Sequence, residues 1–204
     1  MKHQTILLLS ALLFSQLSGC VSISHKISDQ PPTESPTLAE LNNWKITGKL
    51  GIRTQQKAQS INLIWQQQGV NYTVNLNGPM GFGSATIDGD QQQATIRQGS
   101  KLLTGTADQL SAQLLGIPLS AVAMSWWVKG LASPNHVKAS NIVSQENGVL
   151  SSLQQNGWQL QFSDHQAQGA FMMPKKISGR RGELSFKLVI KQWDLFHKPM
   201  IKHN

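Results

Sequence analysis

The chain has 204 residues, one cysteine and a formal net charge of +8. This length is enough for one domain with a sizeable core, and a single cysteine excludes an intramolecular disulfide. The basic excess favours a negatively charged partner, which is a nucleic acid, a membrane surface or an acidic protein. The excess of positive charge is largest near the end of the chain, where eight Lys and Arg residues and two acidic residues follow His165.

Residues 1–19 predict a cleaved export signal. Lys2 gives a basic start, and Ile6 to Leu13 is an apolar run too short to span a bilayer as a helix. The closing residues, Leu17-Ser18-Gly19-Cys20, resemble the lipobox of bacterial lipoproteins. That resemblance implies that Cys20 becomes the first residue of the mature chain and carries a diacylglycerol and an amide-linked acyl chain. The alternative is a secreted protein with a free thiol.

Export argues against nucleic acid as the partner and leaves a membrane surface or a protein. Several acyl chains hold a protein firmly on a membrane, whereas one chain holds it only marginally. Val21 follows the cysteine, and the absence of an aspartate there resembles lipoproteins of the outer membrane. We therefore expect the protein at the periplasmic face of the outer membrane, anchored through Cys20.

The mature chain divides into a tether and one domain. Residues 20–37 are rich in Ser, Pro and Thr and predict a flexible tether behind the lipidated cysteine. Residues 38–204 contain no internal repeat and no second boundary, so they predict a single domain. Leu38 to Asn43 predicts a short helical turn at its start.

From Trp44 onward, apolar residues recur at every second position, which predicts three antiparallel strands up to Leu76. Further short strands with turn residues between them are expected at Ser84–Asp88, Gln93–Arg97, Lys101–Thr104, Gly148–Gln154, Gly157–Ser163 and Gly182–Trp193. The succession predicts a mainly β fold whose sheet curls into a barrel or half-barrel.

Two helices interrupt the strands. Thr106 to Gln109 is a capping-box pattern, and Gly116 is expected to end this first helix. Pro118 is expected to open the second helix, whose apolar face includes Trp126 and Trp127. Both helices are expected to cap the open side of the sheet; the alternative is that they form a lid over a space kept for a ligand.

An apolar turn, Leu76 to Gly83, lies between two predicted strands. It carries Met80 and Phe82 among three glycines and Pro79, whereas turns that face water are usually polar. Either these side chains fold back onto the core, or the tip contacts an apolar partner such as a lipid.

Catalytic patterns are weak. Apart from His197 and His203 in the basic tail, His136 and His165 are the only histidines of the domain. Neither is near a cysteine in the sequence, and the ten acids show no metal-ligand or glycosidase spacing. We therefore expect no enzyme activity, no metal site and no cofactor.

Several motifs together resemble the LolB family of outer-membrane lipoprotein receptors. They occur in order over nearly the whole mature chain: Trp44-(x)3-Gly48-(x)2-Gly51-Ile52-Arg53, Trp65-Gln66-Gln67, Leu76 to Gly81, Leu115 to Leu119, Trp126 to Leu131, and Gln155-Asn156-Gly157-Trp158. The family pattern at the turn is Asn-Pro-Leu-Gly, and here Met80 stands in place of the leucine.

The resemblance implies an α+β fold, an unclosed antiparallel β-barrel with a helical lid that encloses an apolar cavity. It also implies that lipoproteins arrive from LolA, a soluble periplasmic carrier, and pass into the outer membrane. We expect a monomer whose membrane-insertion loop contains Pro79, Met80, Gly81 and Phe82. The residues predicted to line the acyl-chain cavity are Leu50, Ile52, Ile61, Leu63, Trp65, Leu76, Leu114, Val122, Trp126, Trp127, Trp158 and Phe162.

A second hypothesis is a lipid-anchored structural or assembly factor. In that case the half-barrel is fully packed and the apolar turn is a docking knob for another protein.

Overall fold

The computed structural model describes residues 37–78, 83–134 and 137–196. The predicted signal peptide, the lipidation site Cys20, most of the tether and the turn residues Pro79 to Phe82 lie outside the described residues.

A short 3-10 helix spans Leu38–Glu40, as the sequence predicts. The strands are β1 (Asn43–Arg53), β2 (Ala58–Gln68), β3 (Asn71–Asn77), β4 (Ser84–Gly89), β5 (Ala94–Gln98), β6 (Lys101–Gly105), β7 (Ser140–Ser144), β8 (Leu150–Gln155), β9 (Trp158–Gln168), β10 (Phe171–Arg181) and β11 (Leu184–Leu195). The helices are α1 (Ala107–Leu115) and α2 (Ala121–Trp127).

The eleven strands form one antiparallel sheet in the order β6-β5-β4-β3-β2-β1-β11-β10-β9-β8-β7. Strands that follow one another in the chain are neighbours in the sheet, except β6 and β7, and the first and last strands pair at its middle. The described strands β6 and β7 form the two edges, so the sheet does not close. This confirms the predicted unclosed, mainly β fold with two helices.

Alternation along β1 explains which face of the sheet becomes the core. Trp44, Ile46, Leu50 and Ile52 are buried at every second position. Gly48 continues this alternation; the register between β1 and β11 shifts between Thr47 and Gly48, and a Cβ at Gly48 would lie 2.5 Å from the Val189 carbonyl oxygen. A glycine is therefore required where the two halves of the sheet meet.

Two strands have no clear pattern in the sequence. The described residues of β7 are all exposed, so no apolar alternation marks the strand. In β10 the alternation is broken by Pro174, which is buried next to Met173. β10 pairs with β11 only from Lys176 onward, so Pro174 lies where its missing N–H removes no bond to β11.

Local hydrogen bonds set the limits of the helices. The capping box of α1 is present: Gln109 N–H donates to Thr106 Oγ1, and Thr106 N–H donates to Gln109 Oε1. Gly116 ends α1 in the left-handed conformation, with φ of 80°. The predicted start of α2 at Pro118 is wrong, because Ser120 caps the helix by accepting a bond from Ala123 N–H. Among the described residues, neither helix is long and apolar enough to cross a membrane.

Candidate functional site

A small apolar cavity lies between the sheet and the two helices. Its volume is about 70 Å³, and side chains from β1 to β4, from β11 and from both helices line it. The lining residues are Leu50, Leu63, Trp65, Tyr72, Val74, Leu76, Ile87, Ala107, Leu110, Ser111, Leu115, Leu119, Ala121, Met124 and Leu188. The cavity is therefore covered by the helices, as a lid would cover it.

Ser111 connects the two helices at the cavity wall. Its Oγ donates to the carbonyl oxygens of Asp108 and Leu119 at 3.1 Å each, as alternative acceptors, and accepts from Leu119 N–H at 2.8 Å. This hydroxyl is a polar atom in an apolar lining, and its hydrogen bonds satisfy it. It fastens α1 to the segment that leads into α2, so we expect the two helices to move together.

Tyr72 brings an unsatisfied polar atom to the same wall. The residue is 5% exposed, and its hydroxyl has no hydrogen-bond partner among the described residues. The hydroxyl lies over Gly89 of the neighbouring strand, where a Cβ would come within 2.5 Å of it. Burial raises the pKa of Tyr72 to about 12, and the nearby charges of Asp90 and Asp108 add to the shift. The hydroxyl is therefore neutral and able to donate a hydrogen bond.

Trp127, at the C-terminal end of α2, is fully buried and held by polar contacts. Its Nε1–H donates to Gln155 Oε1 at 2.8 Å, and the same oxygen accepts from Ser133 N–H at 2.9 Å. Gln155 Nε2 donates to the carbonyl oxygens of Ser133 and Val137. One buried amide thus joins α2, β8 and the segment that follows the helix.

Lys129 joins the lid to the start of the domain. Its Nζ donates to the carbonyl oxygens of Leu41 at 3.0 Å and Ala39 at 3.4 Å, and lies 4.2 Å from the centre of the Trp126 ring. Burial lowers the pKa of Lys129 to about 8. The residues that follow the predicted tether therefore contact α2 and the turn after it.

The predicted cavity residues occupy three environments. Leu50, Leu63, Trp65 and Leu76 line the cavity. Buried in the core but not on its wall are Ile52, Ile61, Trp127, Trp158 and Phe162. Leu114, Val122 and Trp126 are only partly buried and do not line it. That any of them contacts an acyl chain stays a prediction.

Several lining residues were absent from the predicted set. Tyr72 and Val74 share a face of β3 with Leu76, so the same alternation could have included them. Met124 lies one turn from Ala121 on the face of α2 that contacts the cavity. Among the described residues, no group of three or more His, Cys, Asp or Glu side chains is placed to hold a metal ion.

Comparisons with known proteins identify the family. The family model described as "Outer membrane lipoprotein LolB" matches residues 42–193. The chain belongs to the LolB family. A curated LolB relative from Francisella tularensis subsp. tularensis, named as an outer-membrane lipoprotein, is 31% identical over 201 residues and covers 95% of this chain and 96% of its own. The LolB relative of Pseudomonas fluorescens is 32% identical over 158 residues, covering 76% of each chain.

Solved structures show the same fold at low sequence identity. A LolA-superfamily protein from Nitrosomonas europaea matches with a TM-score of 0.55 at 10% identity, covering 78% of this chain and 88% of its own. A DUF1329-family protein from Desulfovibrio piger matches with a TM-score of 0.56 at 7% identity, over 78% and 88% of the two chains. The LolB-family chain therefore shares its fold with the LolA superfamily.

Proposed function

We propose that this protein is an outer-membrane receptor that accepts lipoproteins from a LolA-like periplasmic carrier and inserts them into the outer membrane. Membership of a family named for outer-membrane lipoproteins supports the location and a role in lipoprotein sorting. The observation that carries the proposal is the apolar cavity beneath the two-helix lid. Acyl chains are the part of a lipoprotein that such a lining would bind.

The size of the cavity sets a condition on binding. A cavity of about 150 Å³ holds one benzene molecule, and the volume here is about 70 Å³. An acyl chain therefore enters only if the lid moves away from the sheet. Leu110 and Leu115 of α1 then leave the cavity wall, and methylene groups of the cargo take their place.

This exchange explains how binding occurs without an energy source. The hydrophobic contacts of α1 hold the lid down, together with a bond from Gln59 Nε2–H to the Leu115 carbonyl oxygen at 3.2 Å. Each buried methylene of a cargo chain contributes about 0.8 kcal/mol, so several methylenes compensate for the displaced leucines. The direction of transfer then follows from the difference in affinity between carrier and receptor.

Two further parts of the proposal concern residues outside the described ranges. Cys20 anchors the receptor to the outer membrane, and the loop Pro79 to Phe82 enters the bilayer and guides the chains across. Met80→Glu places a charge on that loop and is expected to block release of bound lipoprotein into liposomes. Release at the normal rate from this variant would show that the loop has another role.

Tryptophan quenching tests the cavity directly. Trp65 lines the cavity and Trp158 is buried away from it. A lipopeptide with brominated acyl chains is expected to quench the fluorescence of the protein, and Trp65→Phe should remove most of that quenching. The matched control Trp158→Phe should retain it.

Two results of this experiment would contradict the proposal. Equal quenching in both variants would mean that the chains bind elsewhere. An absence of quenching in the unchanged protein would instead favour the packed, lipid-anchored scaffold.

A further inference from the structure

A cationic groove crosses the outer face of the sheet, opposite the core. Its volume is about 610 Å³, and four adjacent strands, β1, β11, β10 and β9, form most of it. The register places Ser185 directly opposite Arg53 on one side and Arg180 on the other. Lys187 lies two residues further along β11, on the same face as Ser185.

The spacing of these side chains suits a small anion. Neighbouring strands lie about 4.8 Å apart, so the Cα atoms of Arg53 and Arg180 are separated by about 10 Å across Ser185. Lys187 lies about 7 Å along the strand from Ser185. The floor between the three cations consists of the small residues Gly51, Ser178 and Ser185, which leave room for a ligand.

The three cations have no counter-charge in the groove. Arg53, Arg180 and Lys187 are exposed, and none forms an ion pair with another described residue. No described aspartate or glutamate lines the groove. Beside the groove, Lys176 pairs with Asp164 at 2.7 Å and is the main cause of the lowered pKa of that carboxyl, to which the charges of Lys175 and Lys187 also contribute. The groove therefore carries a positive charge that only the interaction of Lys187 with Asp164, outside the lining, compensates in part.

We propose that this groove binds the phosphate of an anionic phospholipid headgroup. The Arg53 and Arg180 guanidinium groups can each donate two N–H bonds to phosphate oxygens, and Lys187 contributes a third positive charge. Ser178 and Ser185 offer hydroxyl donors beneath the ligand. A protein partner fits less well, because the two large apolar residues of the lining, Ile52 and Phe186, are buried, whereas exposed large apolar side chains dominate protein interfaces.

The position of the groove favours a lipid over a soluble anion. Arg53 is the last residue of β1. The first part of β2 pairs with the end of β3, where Asn62 lies opposite Asn77. The β3–β4 hairpin closes with a bond from Gly78 N–H to the Gly83 carbonyl oxygen, at the same end of the sheet as Arg53. If this end faces the membrane, as the proposed function requires, headgroups lie within reach of the groove.

Lipid binding by the processed protein in a nonionic detergent tests the inference. The probes are short-chain phosphatidylglycerol and short-chain phosphatidylcholine, and the measurement is isothermal titration. Phosphatidylglycerol is expected to bind more tightly, and the Arg53→Gln, Arg180→Gln, Lys187→Gln triple variant should weaken its binding at least about tenfold. The matched control Lys138→Gln, Lys175→Gln, Lys191→Gln removes the same charge elsewhere and should leave binding within about twofold.

Each contrary result overturns the inference. Equal weakening in both triple variants would show a general effect of net charge. Equal affinity for both lipids, which each carry a phosphate, would show that the groove does not select an anionic headgroup over a zwitterionic one. If competition showed that inorganic phosphate binds with the same affinity as phosphatidylglycerol, the groove would be a site for free anions and not for lipid. Should the first triple variant fail to fold, Ser185→Asp keeps all three cations and is expected to weaken phosphatidylglycerol binding to a similar extent; unchanged binding would contradict the assignment.

This result is separable from the proposed function. Quenching at Trp65 by brominated acyl chains does not involve the groove. Quenching without phosphatidylglycerol selectivity would refute only the groove, whereas selectivity without quenching would refute only the cavity.

Discussion

The interior of the sheet has two regions that differ in packing. The hollow region lies beneath α1 and the start of α2 and contains the apolar cavity. The filled region lies around Trp127, Trp158 and Phe186, where the last two rings meet edge to face with centroids 5.1 Å apart. Gly179 fits under Phe186 so closely that a Cβ would lie 2.3 Å from the ring.

The difference distinguishes the end of the two-helix lid that is held by polar contacts from the end that covers the cavity. Trp127 fixes the C-terminal end of α2 in the filled region through Gln155, whereas α1 covers the hollow region with Leu110 and Leu115. A lid that opens for acyl chains would therefore turn about the end of α2 and lift at α1. The filled region supplies the fixed point and the hollow region supplies the space.

The largest expected effect on stability comes from removing a large side chain from the filled region. Trp127→Ala removes a fully buried ring and is expected to lower the free energy of unfolding by about 4 kcal/mol. The neighbouring Trp126→Ala removes a partly buried ring and should cost about 1 kcal/mol. Urea denaturation of both variants measures the contrast. Equal losses would mean that the two tryptophans anchor the lid to the same degree.

Gln155→Leu tests the polar part of that anchor. The substitution keeps similar volume but leaves Trp127 Nε1–H and Ser133 N–H without their shared acceptor, so we expect a loss of about 3 kcal/mol. Gln161→Leu on the exposed face of the next strand is the control and should change stability by less than about 0.5 kcal/mol. A loss no larger than that of the control would show that packing alone holds α2.

Lys129 gives the fixed end of the lid a dependence on pH. Its pKa in the folded protein is about 8 and its ordinary value is 10.5, so folding disfavours the charged form. The free energy of unfolding should therefore rise as pH increases from about 8 to 10.5, by on the order of 2 kcal/mol after allowance for solvent screening. Lys129→Met should lack this rise. Urea denaturation at several pH values measures it, and parallel curves for the two proteins would contradict the assignment.

The smallest expected effect concerns the hollow region. Tyr72→Phe removes a buried hydroxyl that has no partner among the described residues, so the free energy of unfolding should increase by about 1 kcal/mol. Thermal and urea denaturation of the variant test this. A decrease would indicate that the hydroxyl has a hydrogen-bond partner in solution, such as a water molecule in the cavity.

Sequence patterns predicted more of the fold than of the cavity lining. Alternation of apolar residues marks β1 to β3, with the exposed Ile64 as an exception, and a capping box marks the start of α1. β10 was not predicted because its proline and adjacent lysines obscure the alternation. The cavity depends on how side chains from seven elements fill a shared volume, which no local pattern records.

The adjacent tryptophans of α2 show the same limit of prediction from sequence patterns. Trp126 and Trp127 are equally apolar in sequence, and only the orientation of α2 against the sheet makes one of them core and the other partly exposed.

The pairing of β1 with β11 has a consequence for biogenesis. These strands lie at opposite ends of the domain sequence, yet they join the two halves of the sheet at its centre. Until β11 has been synthesised, β1 has an unpaired edge, and the N-terminal half is an incomplete sheet. Such long-range pairing slows folding, so the sheet is completed only after the whole domain has been synthesised, and the incomplete chain is exposed to aggregation until then.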